Sequence, residues 1–153
     1  MNQEYKDILE TFAESIISKD YDIAYRLFSS GLKDSISQDE LQKVMEKHFI
    51  ELNQEWETKD ELEYPKDFSI SEGVVDYDYF VNEKNNYSLF RSSKKIPNDI
   101  TKENYLIWAH IAFLVSEEQS EYLDFDGWFD FWCILIKKDN EIQIGYFEIH
   151  ELD

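Results

Sequence analysis

Two apolar segments separated by a short polar stretch constrain the fold of this chain most strongly. Residues 128–137 and 142–149 are rich in aromatic and β-branched side chains, which favour β-strands. Only Lys138-Asp139-Asn140-Glu141 lies between them, so the simplest structure is an antiparallel hairpin. Residues 105–115 are a further apolar stretch, which we also predict to be a strand, although its alanines and leucines would tolerate a helix. This region therefore predicts an antiparallel sheet.

The first third of the sequence has the periodicity of helices instead. Apolar residues recur at helical spacing at Tyr5, Ile8, Leu9, Phe12 and Ile16. A second helix is predicted after Asp20, a suitable N-cap, and its end is predicted at Ser30-Gly31. A third is predicted to begin at Ser37, whose spacing to Glu40 makes a capping box. Three helices are therefore expected before the sheet.

Between the helices and the apolar strands, the pattern changes to a period of two. Val75, Tyr77, Tyr79 and Val81 alternate with Asp76, Asp78 and Phe80, which predicts a half-buried strand. Asn85-Asn86 indicates a turn, and residues 87–90 are predicted to return as a short partner strand. Helices followed by antiparallel strands predict an α+β fold, with three N-terminal helices on one face of a bent sheet. The length of 153 residues suits one domain spanning residues 1–153.

Both faces of the predicted sheet are mostly apolar. In the strand at residues 105–115, Ile107, Ile111 and Phe113 share one face, whereas Trp108, His110 and Ala112 share the other. Because three helices cover only one face, the second would be an apolar patch of the kind that marks a protein interface. We therefore predict a homodimer or a partner on that face. The alternatives are that the sheet curls around a core, or that loops from the region of residues 53–104 cover it.

Residues 16–33, from Ile16-Ile17-Ser18-Lys19-Asp20 to Ser30-Gly31-Leu32-Lys33, resemble the helix-turn-helix opening of nuclear transport factor 2-like domains. The order of the later strands is similar to that of the same superfamily. The resemblance implies a cone-like fold, with helices packed on a strongly bent sheet and a cavity between them. Members include enzymes, ligand binders, adaptors and bacterial immunity proteins, so the resemblance implies no single function and transfers no catalytic residue.

His110 and Asp130 are the candidate catalytic pair. His110 lies in the middle of one predicted strand, and Asp130 lies on the next, where its carboxylate could orient the imidazole. A histidine held by a carboxylate is the outline of a general base, and a pocket around the pair would suit a small-molecule binder or an enzyme. The alternative is a structural pair in which each side chain satisfies the other.

The charge distribution favours a different function, which is recognition of a basic protein. The chain has 34 acidic residues against 15 basic ones, a net charge of -19, and is 16% aromatic. Acidic residues crowd around aromatic ones at residues 51–83 and 117–126. The predicted partner-binding residues are Trp56, Glu61, Glu63, Tyr64, Asp76, Tyr77, Asp78, Tyr79, Tyr122, Asp124 and Asp126. Aromatic side chains would supply buried area and carboxylates would steer the partner. The alternative is that the acidic excess only keeps the protein in solution.

Other site classes find little support in the sequence. Asp124-Phe125-Asp126-Gly127 lacks the later ligands of a calcium loop, and the three histidines lack zinc-site spacing. Cys133, the single cysteine, lies in an apolar run and is expected to be buried and inert. We expect no cofactor, no nucleic acid bound to so acidic a chain, and no membrane association. The favoured interpretation is a cytoplasmic, non-enzymatic acidic binding protein, most concretely an immunity protein that neutralises a basic bacterial toxin.

Overall fold

A computed structural model describes residues 1–55, 65–86, 96–114 and 127–151, and it confirms the predicted α+β class. Helices precede an antiparallel sheet in which each strand pairs with its neighbours in sequence, in the order β1-β2-β3-β4. The helices are α1 (Gln3–Ile17), α2 (Tyr21–Arg26), α3 (Ser30–Ser35), α4 (Gln38–Glu55) and α5 (Tyr77–Asn86). The strands are β1 (Asp67–Glu72), β2 (Tyr105–Leu114), β3 (Gly127–Lys138) and β4 (Glu141–Glu151).

Side-chain caps set the boundaries of the first helices. Asp20 accepts a hydrogen bond from the backbone of Ile23, as its predicted role as N-cap of α2 requires. The predicted capping box is also present: Ser37 Oγ accepts from the Glu40 amide at 3.1 Å, and Glu40 accepts from the Ser37 amide at 3.3 Å. The predicted stop at Ser30-Gly31 is wrong. These residues begin α3, because Ser29 Oγ caps the amide of Leu32.

Residues 75–81 were predicted to be a strand, and this prediction is wrong. They lead into helix α5, which begins where the Asp76 carboxylate accepts the amide of Tyr79 at 2.8 Å. Tyr77, Phe80 and Val81 then point towards the sheet at helical spacing. Asn85-Asn86 ends this helix instead of forming a turn, and the strand predicted at residues 87–90 lies outside the described residues. Strand β1, for its part, was not predicted.

The strands at the end of the fold are as predicted. β3 and β4 form the expected hairpin, and β2 is a strand and not a helix. Asp139 and Asn140 turn the hairpin with positive φ angles of 53° and 64°. Such angles suit a two-residue turn whose twist matches that of the strands, and asparagine and aspartate tolerate them better than other non-glycine residues.

The inner face of the sheet, defined by Ile107, Ala109, Ile111, Phe131 and Cys133, forms the main core with the N-terminal helices. Aromatic contacts join the layers: the ring of Phe12 on α1 stacks on that of Phe131 with centroids 4.8 Å apart. A backbone contact also ties the helical layer to β4. The amide of Ser29 donates to the carbonyl of Ile144, and the amide of Ile144 donates to the carbonyl of Leu27, each at 2.8 Å.

The outer face of the sheet has a cover of its own. Trp108, Ile134 and Tyr146 lie side by side across three strands of this face and are buried. Phe80 of α5 and Ile100 complete a second buried cluster with them. Of the alternatives for this face, the structure therefore shows that a segment from residues 53–104 covers this part of it. No helix in the described ranges is long and apolar enough to cross a membrane.

Candidate functional site

A row of polar and aromatic side chains crosses the outer face next to the covered cluster. The strand register aligns Ser71 of β1, His110 of β2, Trp132 of β3 and Glu148 of β4. The imidazole of His110 stacks on the indole of Trp132 with ring centroids 4.3 Å apart and planes inclined by 28°. This stacking fixes the plane of the imidazole, so its two nitrogens point in set directions.

Each ring nitrogen of His110 has a polar partner. Nε2 lies 2.7 Å from Oδ1 of Asp130, which sits diagonally across the β2–β3 ladder, and Nδ1 lies 3.3 Å from the Oγ of Ser71. A carboxylate accepts hydrogen bonds, so Nε2 is the nitrogen that carries the proton in the neutral ring. Nδ1 is then left as an acceptor for the Ser71 hydroxyl. The structure thus brings together the predicted pair, His110 and Asp130, and adds a serine.

This group of three residues is partly open to solvent. The side chains of His110 and Asp130 are 19% and 31% exposed, and Ser71 is exposed. Sequence analysis missed Ser71 because β1 was not predicted. A signal was present, since Phe68 and Ile70 alternate with Ser69 and Ser71 and place the serines on the face opposite the main core.

Buried polar groups continue the row on β4. Glu148 is only 3% exposed, and its carboxylate accepts a hydrogen bond from the hydroxyl of Tyr146. This hydrogen bond compensates part of the free-energy cost of removing the carboxylate from water. The outer face therefore changes character along the strands, from the apolar cluster under α5 to a polar region around His110.

An open pocket of about 300 Å³ lies beside β1 and β2. We call it the acidic pocket; it is lined by residues 72–76 and 105–108, among which Glu72 and Asp76 are charged and no residue is basic. The Tyr105 hydroxyl donates to the carbonyl of Val75, which holds one wall to the other. Burial, followed by the negative charge of Asp76, raises the pKa of Tyr105 well above its usual value, so this phenol keeps its proton.

The pocket lining and the first residues of α5, which follow it in sequence, have both exposed apolar and exposed acidic groups. Val74 is fully exposed, and Tyr79, one turn into α5, is 46% exposed. Asp78 forms an exposed ion pair with Lys102 at 3.2 Å, while Asp76 caps α5. Tyr77, in contrast, turns inwards, with its ring 6.1 Å from that of Tyr105. Of the predicted partner-binding residues in this segment, Asp76, Asp78 and Tyr79 are exposed, whereas Tyr77 packs against the buried cluster on the outer face of the sheet.

Seven of the predicted partner-binding residues lie outside the described residues: Trp56, Glu61, Glu63, Tyr64, Tyr122, Asp124 and Asp126.

The other predictions concern the cysteine and metal sites. Cys133 is buried in the main core, and that burial raises the pKa of its thiol far above the usual value. Within the described ranges, no group of three histidine, cysteine, aspartate or glutamate side chains is arranged to hold a metal ion.

Comparison of the chain with protein-family models, with curated proteins and with solved structures found no match. The fold and the site thus define an α+β protein with a polar site on a partly covered sheet face. The resemblance of residues 16–33 to nuclear transport factor 2-like domains stays a prediction.

Proposed function

We propose that this protein is a binding protein that recognises a basic partner protein through its acidic pocket and the residues around it. The observation that carries the proposal is the composition of the pocket: two carboxylates, Glu72 and Asp76, beside the partly exposed ring of Tyr105, with no basic residue in the lining. Carboxylates and aromatic faces are the two groups that bind a lysine or arginine side chain.

The residues around the carboxylates support the proposal with contact area. An exposed apolar side chain gains free energy when a partner buries it, because its surface is removed from water. Val74 is fully exposed and lines the pocket together with Glu72 and Asp76, and Tyr79, three residues after Asp76, is 46% exposed. The net charge of -19 would accelerate the encounter with a basic protein.

The most concrete version of this proposal is an immunity protein that neutralises a basic bacterial toxin in the cytoplasm. A basic nuclease or other effector would be steered to the acidic surface and its own basic site would be occluded. A basic effector encoded in the same genomic neighbourhood is the partner to test. Failure to bind and inhibit such an effector at any ionic strength would contradict this version.

The pocket itself can be tested with a small probe. We expect N-acetyl-arginine amide to perturb the NMR signals of Trp108 and Tyr105, and its norleucine analogue to leave them unchanged. Glu72→Gln combined with Asp76→Asn should weaken binding about two- to thirtyfold, because two exposed ion pairs are removed. Asparagine is itself a good N-cap, so the double variant keeps the start of α5.

The matched control is Glu4→Gln combined with Glu14→Gln on α1, two exposed carboxylates on a helix that packs against the opposite face of the sheet. This control makes the net charge less negative by the same amount as the pocket variant without touching the pocket, and it should leave affinity for the probe nearly unchanged. Equal weakening by the control and the pocket variant would mean that only the overall charge matters, and the proposed pocket would then be wrong.

A further inference from the structure

The hydrogen-bonded arrangement of Ser71, His110 and Asp130 suits removal of the serine proton by the histidine, and recognition of a basic protein does not require this. Asp130 accepts from Nε2 at 2.7 Å, and Nδ1 faces the Ser71 hydroxyl at 3.3 Å. A base needs a free lone pair aimed at the proton that it removes, and a third group that holds the other nitrogen protonated. Both conditions are met here, with Nδ1 as the base and Asp130 as the positioning residue.

Backbone and stacking contacts hold this arrangement on strands instead of loops. Ser71 and His110 are directly opposite each other in the β1–β2 ladder, and the imidazole lies against the ring of Trp132. Sites built on strands hold their geometry more precisely than sites on loops. Ser71 is also exposed, so a reactant from solvent can reach its Oγ.

The geometry points to Ser71 as a nucleophile, activated by His110 and positioned by Asp130, that is acylated by carboxylic esters. In this step Ser71 Oγ bonds to the ester carbonyl carbon, and its proton moves to Nδ1 of His110. The carbon–oxygen bond to the alcohol breaks, and the alcohol leaves with that proton. Water, deprotonated by the same nitrogen, then hydrolyses the acyl-serine to a carboxylic acid and restores the enzyme.

The charges near Ser71 define the class of ester. The carboxylate of Asp130 lies beside His110 on the same face as Ser71, whereas Glu72, the next residue of the strand, faces the other side of the sheet. The Asp130 carboxylate would repel an anionic acyl group and attract a cationic one. We therefore expect esters with neutral or cationic groups as substrates and a poor reaction with anionic ones. This inference does not rest on the proposed basic partner, since no partner protein takes part in the reaction.

The experiment uses the full chain with p-nitrophenyl acetate as the probe. We expect a burst of p-nitrophenolate, together with one acetyl group added to the intact protein and located at Ser71 by peptide mass spectrometry. Ser71→Ala should abolish the burst, and His110→Ala should slow it by about a hundredfold or more, the usual contribution of a general base. A dipeptide-sized cationic ester and a succinyl ester then test the charge preference.

Ser69→Ala is the matched control. Ser69 lies on the same strand and the same face but opposite Ala112, so its loss should leave the burst unchanged. Acetylation only at lysines or the N-terminus, or an unchanged burst in Ser71→Ala, would overturn the inference. Because the acetylation site is mapped in the chain with its original sequence, this result does not depend on whether any of the variants folds.

Asp130→Asn tests the positioning role. An asparagine amide can donate to Nε2, which would move the imidazole proton to Nδ1 and remove the base. We expect a loss of acylation rate together with a changed ¹⁵N NMR pattern of His110 that reports the other tautomer. A variant with the original tautomer and the original rate would show that Asp130 is only a structural partner.

Discussion

At the scale of single residues, the fold depends on polar contacts between distant parts of the chain. Asp99 is the clearest case: its carboxylate accepts from the amide of Gly31 at 2.9 Å and from Lys138 Nζ at 3.3 Å. Its side chain is only 10% exposed, so these donors compensate a charge that is largely removed from water. The contact joins the start of α3 to the loop before β2.

Gly31 is needed at this contact because there is no room for a side chain. A Cβ at position 31 would lie 2.1 Å from Oδ1 of Asp99. We expect Gly31→Ala to lower the free energy of unfolding by about 1–3 kcal/mol, as overpacking usually does, measured by urea denaturation. Asp34→Ala, an exposed change in the same helix, is the control.

The same substitution in a chain that lacks the Asp99 carboxylate tests whether Asp99 is the cause. In an Asp99→Ala chain, Gly31→Ala should lower the free energy of unfolding much less, since the obstructing carboxylate is gone. A cost that is the same in both backgrounds would show that Asp99 is not the reason for glycine at position 31.

Local features at this scale were predictable, and distant ones were not. The cap by Asp20 and the box of Ser37 and Glu40 depend on residues three positions apart, so the sequence shows them directly. The contact of Gly31 with Asp99 spans 68 positions, and nothing near Gly31 reveals it. This glycine was therefore interpreted as the end of a helix, although it lies in the first turn of α3.

At the scale of elements, helix α5 determines which part of the outer face of the sheet is buried. Phe80 is fully buried against Trp108 and Tyr146, with ring centroids 6.4 and 5.2 Å away. The hydroxyl of Tyr105 binds the loop before this helix, and Lys102 pairs with Asp78. The helix is thus held by one aromatic anchor and by polar contacts around it.

Removal of that anchor should release the cover. We expect Phe80→Ala to cost about 3–5 kcal/mol of unfolding free energy, because a large buried ring is replaced by a cavity. Hydrogen exchange should show faster exchange in α5 than in α1, since the main core is on the other face. Asn82→Ala, an exposed change in the same helix, should alter neither quantity by much. Unchanged exchange in α5 of the Phe80 variant would contradict this view of the cover.

The wrong assignment of α5 has a physical cause. Over only seven residues, apolar positions with a period of two overlap with helical positions at i and i+4, so alternation alone did not separate the two structures. The choice is made by Asp76, which caps the helix, and by Phe80, which needs the apolar pocket of the outer face. The faces of β2 and β3, in contrast, were predictable, because their alternation extends over longer strands.

At the scale of the whole molecule, the acidic excess acts against folding as well as for recognition. A net charge of -19 on 153 residues produces repulsion that is larger in the compact state than in the extended chain. The ion pairs of Lys6 with Glu10 and of Lys43 with Asp39 are exposed and compensate little of this repulsion.

Salt should therefore stabilise the protein. We expect the thermal midpoint at pH 7 to rise as sodium chloride increases from about 10 mM to about 150 mM, where the screening length falls from about 30 Å to about 8 Å. Differential scanning calorimetry measures the midpoint, and a neutral osmolyte serves as the control for solvent effects. A midpoint that falls with salt would mean that favourable ion pairs outweigh the repulsion.

Global charge and fold class were predictable because they depend on sums and long patterns. The homodimer predicted from the apolar outer face stays a prediction, and the covered cluster under α5 removes part of the surface that motivated it. The polar site around His110 was predictable only as a pair, because its serine comes from a strand that pairs with His110 across 39 positions of sequence.

The backbone contact between Ile144 and the segment from Leu27 to Ser29 has a consequence for synthesis on the ribosome. The N-terminal helices leave the ribosome before the strands against which they pack. Until β2 to β4 have emerged, α1 to α4 lack their sheet partners and expose apolar faces. The N-terminal helices therefore cannot complete their core until synthesis has passed β4, whose Ile144 holds the segment from Leu27 to Ser29.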